Sequence, residues 1–116
     1  MSLSPRKLAI GLAGAIAFCL LAAPAPAQES ALVHVTLKDH RFSPAEPTAP
    51  AGKPITIELT NLDPTPSEFE SKTLRVEKVV AGGGKITIAV RALTPGRYRF
   101  FDDYHEDTTE GFLVVQ

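Results

Sequence analysis

The chain has 116 residues, a formal charge of −1, a single cysteine and 44% hydrophobic residues. That length suits one domain, and the near-neutral balance excludes the broad basic surface that nucleic acid or anionic membrane would require. One cysteine excludes an intrachain disulfide framework and any multi-thiolate metal site.

Arg6 and Lys7 precede an apolar stretch from Leu8 to Ala23 that runs into Ala25-Pro26-Ala27. This is the order of a cleaved secretory leader, so residues 1–27 are expected to be a signal peptide and residues 28–116 a periplasmic domain. The apolar run, about 16 residues, is shorter than the ~20 a spanning helix needs, and no direct membrane anchor is expected. Cys19 lies within this stretch behind Phe18, which is too large for the residue ahead of a lipoprotein cysteine. The mature domain is therefore expected to contain no thiol and, with Arg6 and Lys7 gone, to be more acidic than the whole chain. A domain of that size without disulfides relies on one hydrophobic core or on a bound metal.

Val33, Val35 and Leu37 alternate with His34 and Thr36, which predicts a strand with one buried face. Lys38-Asp39-His40-Arg41-Phe42 follows it. A second alternation, Ile55 to Leu59, ends at the turn signal Asn61-Leu62-Asp63-Pro64. Ser67-Glu68-Phe69-Glu70-Ser71 comes next; in a strand Glu68 and Glu70 share one face and Phe69 takes the other. Leu74-Arg75-Val76 reads as a further short strand, and Gly82-Gly83-Gly84 as a hairpin connection, since it lacks the strand, helix and lysine of a phosphate loop. Ile86-Thr87-Ile88, the turn Thr94-Pro95-Gly96 and a last strand from Phe112 to Val115 complete the chain. Seven to eight short strands with no helical period predict an all-β sandwich.

The segment before the last strand is crowded with metal-ligating residue types: Asp102, Asp103, His105, Glu106, Asp107 and Glu110. Together with Glu68 and Glu70 they offer carboxylate oxygens and imidazole, which suit Fe(III), Cu(II) or Mn(II) better than Cu(I). Each has a plainer reading. Glu68 and Glu70 fit a solvated strand face, Asp102 and Asp103 fit turn caps, and His105 alone fits a surface histidine. His40 is a weaker ligand candidate, His34 an exposed strand residue, and Glu46 a solvated edge charge. Ser67 and His105 lack the orienting acid and oxyanion donors that hydrolysis would need.

Tyr98, Phe100, His105, Gly111, Leu113 and Val115 resemble the closing segment of cupredoxins, in which Tyr-x-Phe-x-Cys is followed by His, Met and a Gly-x-Leu/Val-x-Val strand. The resemblance implies a cupredoxin-like Greek-key β-sandwich. It also implies a changed site: Asp102 stands at the cysteine position, Ser67 at the first histidine, and Thr109 or Glu110 at the axial methionine. Ser67 to Ser71, with Phe101-Asp102-Asp103-Tyr104-His105-Glu106-Asp107-Thr108, is similar to the cupredoxin-like proteins of bacterial periplasmic iron uptake. That similarity implies a copper or iron ion held by Glu68, Glu70, Asp102 and His105, with Glu106, Glu110 and His40 as second-rank ligands. It further implies a periplasmic iron-binding protein and an inner-membrane iron permease as partners, and it raises Fe(II) oxidation as an activity. An electron carrier and a metal-free interaction module are the alternative readings.

Overall fold

The alternation at the head of the domain becomes strand β1, Ala31–Lys38, which buries Val33, Val35 and Leu37 and turns His34 to solvent. The structure is a computed structural model that describes Gly14 and residues 29–116; apart from Gly14, the expected leader with Cys19 and its cleavage point lies outside the described residues. The strands that follow are β2 (Arg41–Ser43), β3 (Thr48–Ala49), β4 (Ile55–Asn61), β5 (Ser67–Ser71), β6 (Val76–Val80), β7 (Lys85–Val90), β8 (Gly96–Asp102) and β9 (Glu110–Val115). A 3₁₀ turn, Asp103–His105, joins the last two. Among the described residues no helix is long and apolar enough to cross a membrane.

The strands form two mixed sheets, in the orders β2-β1-β4-β7 and β3-β9-β8-β5-β6. β1 runs parallel to β4 and β3 parallel to β9, while the other pairs are antiparallel. Ile55, Ile57 and Leu59 of β4 meet Phe69, Phe100 and Leu113 of the facing sheet in a single core. At one end of that core the rings of Phe42, Phe69 and Phe100 pack together, with Phe100 4.9 Å from Phe42 and 5.0 Å from Phe69 between centroids. Phe42 lies two residues after His40, and Phe69 pairs with Asp102 in register, so two of the three rings belong to strands that lead into the site loops.

The all-β sandwich agrees with the pattern in the sequence, and three details differ. There are nine strands among the described residues, because β2 and β3 are too short to show alternation. Leu74 and Arg75 are not in a strand: Arg75 has φ 56° and its N–H donates to the Lys72 carbonyl, so Leu74 is buried from within a turn. That turn is held by the Ser71 hydroxyl, which accepts from Leu74 N–H and donates to the Arg99 carbonyl. Gly82-Gly83-Gly84 is no hairpin loop either, since it carries the chain from β6 in one sheet to β7 in the other.

Candidate metal centre

Three loops meet at one end of the sandwich. The β1–β2 register pairs Lys38 with Arg41, leaving Asp39 and His40 as a two-residue loop. Both have left-handed backbone, φ 51° and 56°, a conformation that costs non-glycine residues about 1–2 kcal/mol each. Asp63, from the loop after β4, opposes that cost. Its Oδ1 accepts from Asp39 N–H at 2.6 Å and its Oδ2 from His40 N–H at 3.0 Å. These backbone donors, His40 first, hold the Asp63 carboxyl below its ordinary pKa despite its burial.

Across from this loop, Asp102 ends β8 with its side chain fully buried. Its Oδ1 accepts from Glu68 N–H and Tyr104 N–H, both at 3.1 Å, and its Oδ2 lies 3.0 Å from His105 Nδ1. Asp102 is thus the cap of the 3₁₀ turn and also the residue that orients His105. An imidazole whose Nδ1–H is given to a carboxylate leaves Nε2 for a metal, and the carboxylate retains lone-pair capacity of its own. The rings of His40 and His105 stand 3.9 Å apart between centroids. His40, Asp102 and His105 each bring one ligand-type atom within 4.8 Å of the others.

The second group is all carboxylate. Glu68 and Glu70, on the half-buried face of β5, converge with Asp103 to the same 4.8 Å limit. Glu77 of β6, opposite Glu70 in register, brings a further carboxylate to act on both glutamates. Loss of solvent raises the pKa of both glutamates. The Glu77 carboxylate raises Glu68 further, and Asp103 raises Glu70. Crowded anions with raised pKa values are what a bound cation would relieve.

The four residues expected to form one site are therefore divided between two neighbouring groups. Glu68 and Glu70 gather with Asp103, while Asp102 and His105 gather with His40, and the groups abut where Asp102 accepts from the Glu68 backbone. Glu106 and Glu110 belong to neither. Glu110 Oε2 lies 2.8 Å from Arg99 Nε, and Glu106 Oε1 3.8 Å from Arg99 Nη1, because Arg99 projects between them on β8. Thr109 is buried, and its hydroxyl donates to the His40 carbonyl at 2.6 Å. Ser67 is buried at the start of β5 with its hydroxyl unpartnered. Sequence reasoning passed over Asp63 and Glu77 as site residues, and it counted Asp103 among the ligating residue types without including it in the implied ligand set. The alternation of Glu68 and Glu70 pointed to a strand, but nothing local showed that β6 would place Glu77 beside them.

The donor set suits a metal ion on one further observation. His40 Nδ1 is buried without a hydrogen-bond partner, its nearest carboxylate oxygen being Asp63 Oδ2 at 3.8 Å, too long for a hydrogen bond. A buried, unpaired acceptor or donor is unfavourable unless something binds it.

Residues 11–115 match the cupredoxin-like domain family, and the chain belongs to it. An uncharacterised protein of Rickettsia prowazekii (strain Madrid E) is 41% identical over 83 residues, covering 72% of this chain and 66% of that one. The chain thus spans just under two thirds of that relative's length. Among solved structures, the metal-binding domain of a Cu(I)-exporting P-type ATPase from Streptococcus pneumoniae, solved with Cu(I), has a TM-score of 0.65 at 14% identity, covering 77% of this chain and 97% of that one. Auracyanin A, a "blue" copper protein of Chloroflexus aurantiacus, has a TM-score of 0.62 at 14% identity, covering 76% and 100%. A mutant fern plastocyanin has a TM-score of 0.56 at 20% identity, covering 72% and 99%. At these identities the likeness shows the fold.

Proposed function

We propose that this cupredoxin-fold protein is a periplasmic binder of a hard or borderline transition-metal ion that assists iron uptake. His40, Asp102 and His105 would hold one ion, and Glu68, Glu70 and Asp103 form an adjoining oxygen site. The observation that carries the reading is the convergence of two ligand groups in a domain without sulfur. The chain's only cysteine and only methionine are Cys19 and Met1, both ahead of the domain, so the soft ligands of a blue-copper site are absent. Copper is the ion named for the Streptococcus pneumoniae domain and for auracyanin A, and Cu(II) suits the two imidazoles. Fe(III) suits the carboxylate group, and the similarity of the Glu68 and Asp102 segments to iron-uptake proteins supports iron as the cargo. A periplasmic iron-binding protein and a permease are then the partners to seek, and Fe(II) oxidation the activity to assay. An electron carrier ranks below this, because hard oxygen ligands favour the higher oxidation state.

Metal titration monitored by thermal melting tests the proposal. An ion bound only by the native state stabilises it by RT ln(1 + [L]/Kd), about 2.7 kcal/mol at a hundredfold excess over Kd. The melting temperature is expected to rise with Cu(II) or Fe(III). Curves unmoved by Cu(II), Fe(III), Mn(II) and Zn(II) would leave the metal-free interaction module as the surviving reading.

A further inference from the structure

The backbone of His40 is held from two sides, by Asp63 and Thr109. Its loop does not hold itself: a two-residue hairpin turn with both residues left-handed ordinarily carries Asn-Gly, whereas this one carries Asp39-His40. Both backbone groups of His40 are instead taken by buried side chains from other loops. The N–H goes to Asp63 Oδ2 at 3.0 Å, and the carbonyl accepts from the Thr109 hydroxyl at 2.6 Å. Asp63 is anchored in its turn, since its own N–H donates to Asn61 Oδ1 at 3.0 Å, and the Asn61 amide donates to the carbonyls of Thr65 and Ala81. The outcome is an imidazole with its Nδ1 buried and unpaired and one ring nitrogen within 4.8 Å of ligand atoms of Asp102 and His105.

We propose that Asp63 and Thr109 are positioning residues that fasten His40 into the centre as a second imidazole ligand. The inference rests on the metal-binding reading and deepens it. A ligand fixed before the ion arrives loses less conformational freedom on binding, so removing the uncharged Thr109 hydroxyl weakens binding through His40 alone, while removing the Asp63 carboxylate also withdraws a negative charge from beside the imidazoles.

The test is Cu(II) affinity by chelator competition, with the nitrogen hyperfine pattern of the bound Cu(II) read by electron paramagnetic resonance. Thr109→Val keeps the side-chain shape and removes the hydroxyl. It is expected to weaken Cu(II) roughly three- to tenfold, the size of one lost hydrogen bond, and to remove one imidazole coupling, as His40→Ala does. Asp63→Asn leaves one of the two loop N–H groups facing an amide and is expected to weaken Cu(II) at least as much. In a His40→Ala background Thr109→Val should not weaken binding further, and Asp63→Asn should weaken it less than in the wild type. Wild-type affinity with both couplings in Thr109→Val, or equal weakening with and without His40, overturns the proposal. Should Asp63→Asn fail to fold, Thr109→Val alone decides. A wild-type protein that takes up no Cu(II) refutes this proposal together with binding of Cu(II) at the centre, whereas uptake unaffected by the variants refutes the positioning role only.

Discussion

The carboxylates of Glu68 and Glu70 are held close to other anions in the folded protein and far from them in the unfolded chain, so their burden falls on the native state. A carboxyl whose folded pKa lies above its unfolded value of 4.5 binds more protons folded than unfolded. Its effect on stability is favourable at acid pH and is lost as pH rises through the raised pKa. Replacing Glu68 and Glu70 together by Gln keeps shape and removes both charges. The metal-free double variant should therefore melt above wild type at pH 7, with the difference shrinking below about pH 4, where the wild-type groups are protonated. The same variant should lose most of any Fe(III)-induced rise in melting temperature. Thermal scans at the two pH values check both, and a metal-free variant that melts below wild type at pH 7 would contradict the crowding.

At the level of elements, the β8–β9 pair depends on a residue with no side chain. Phe100 lies opposite Gly111 in register, and a Cβ on Gly111 would come within 2.6 Å of the Phe100 ring and 2.8 Å of the Ala45 carbonyl. Gly111→Ala is expected to destabilise by about 1–3 kcal/mol through overpacking, and to disturb the packing of Phe100 against Phe42 and Phe69. Chemical denaturation should show a lower midpoint with an unchanged slope. The strands with strict alternation, β1, β4 and β5, were legible in the sequence because one face of each is buried along its whole length. β6 starts two residues after the expected strand and ends four after it, because Leu74 is buried from a turn and Val79 is exposed on an edge strand. The site was legible only in part. Glu68, Glu70, Asp102 and His105 are recognisable from residue type, but their division into two groups depends on the β5–β6 register and on the loop that Asp63 clamps, which are long-range facts with no local signature.

Across the whole molecule, opposite pH dependences are built into different parts of the sandwich. On the outer face of the four-stranded sheet, Glu58 lies 3.0 Å from Lys85 and 3.2 Å from His34, and the hydrogen bond from Lys85 is the main cause of its lowered pKa. A carboxyl lowered below 4.5 contributes stability above that value and loses it as pH falls through the folded pKa. Asp63 acts in the same sense and the Glu68 and Glu70 group in the other, above 4.5, so the stability of the metal-free protein should rise from strong acid to a maximum near the ordinary carboxyl range and fall again towards neutrality. A bound ion changes this, because it must displace protons from the raised carboxyls and then cancels their mutual repulsion. The rise in melting temperature produced by saturating Mn(II) should accordingly be small near pH 4 and grow towards pH 7. In Glu68→Gln with Glu70→Gln the rise should be small at every pH. Glu58→Gln should leave the metal-induced rise intact and lower the melting temperature chiefly at neutral pH. A metal-induced rise in the wild type that is the same at both ends of this range would place the bound ion somewhere other than the carboxylate group.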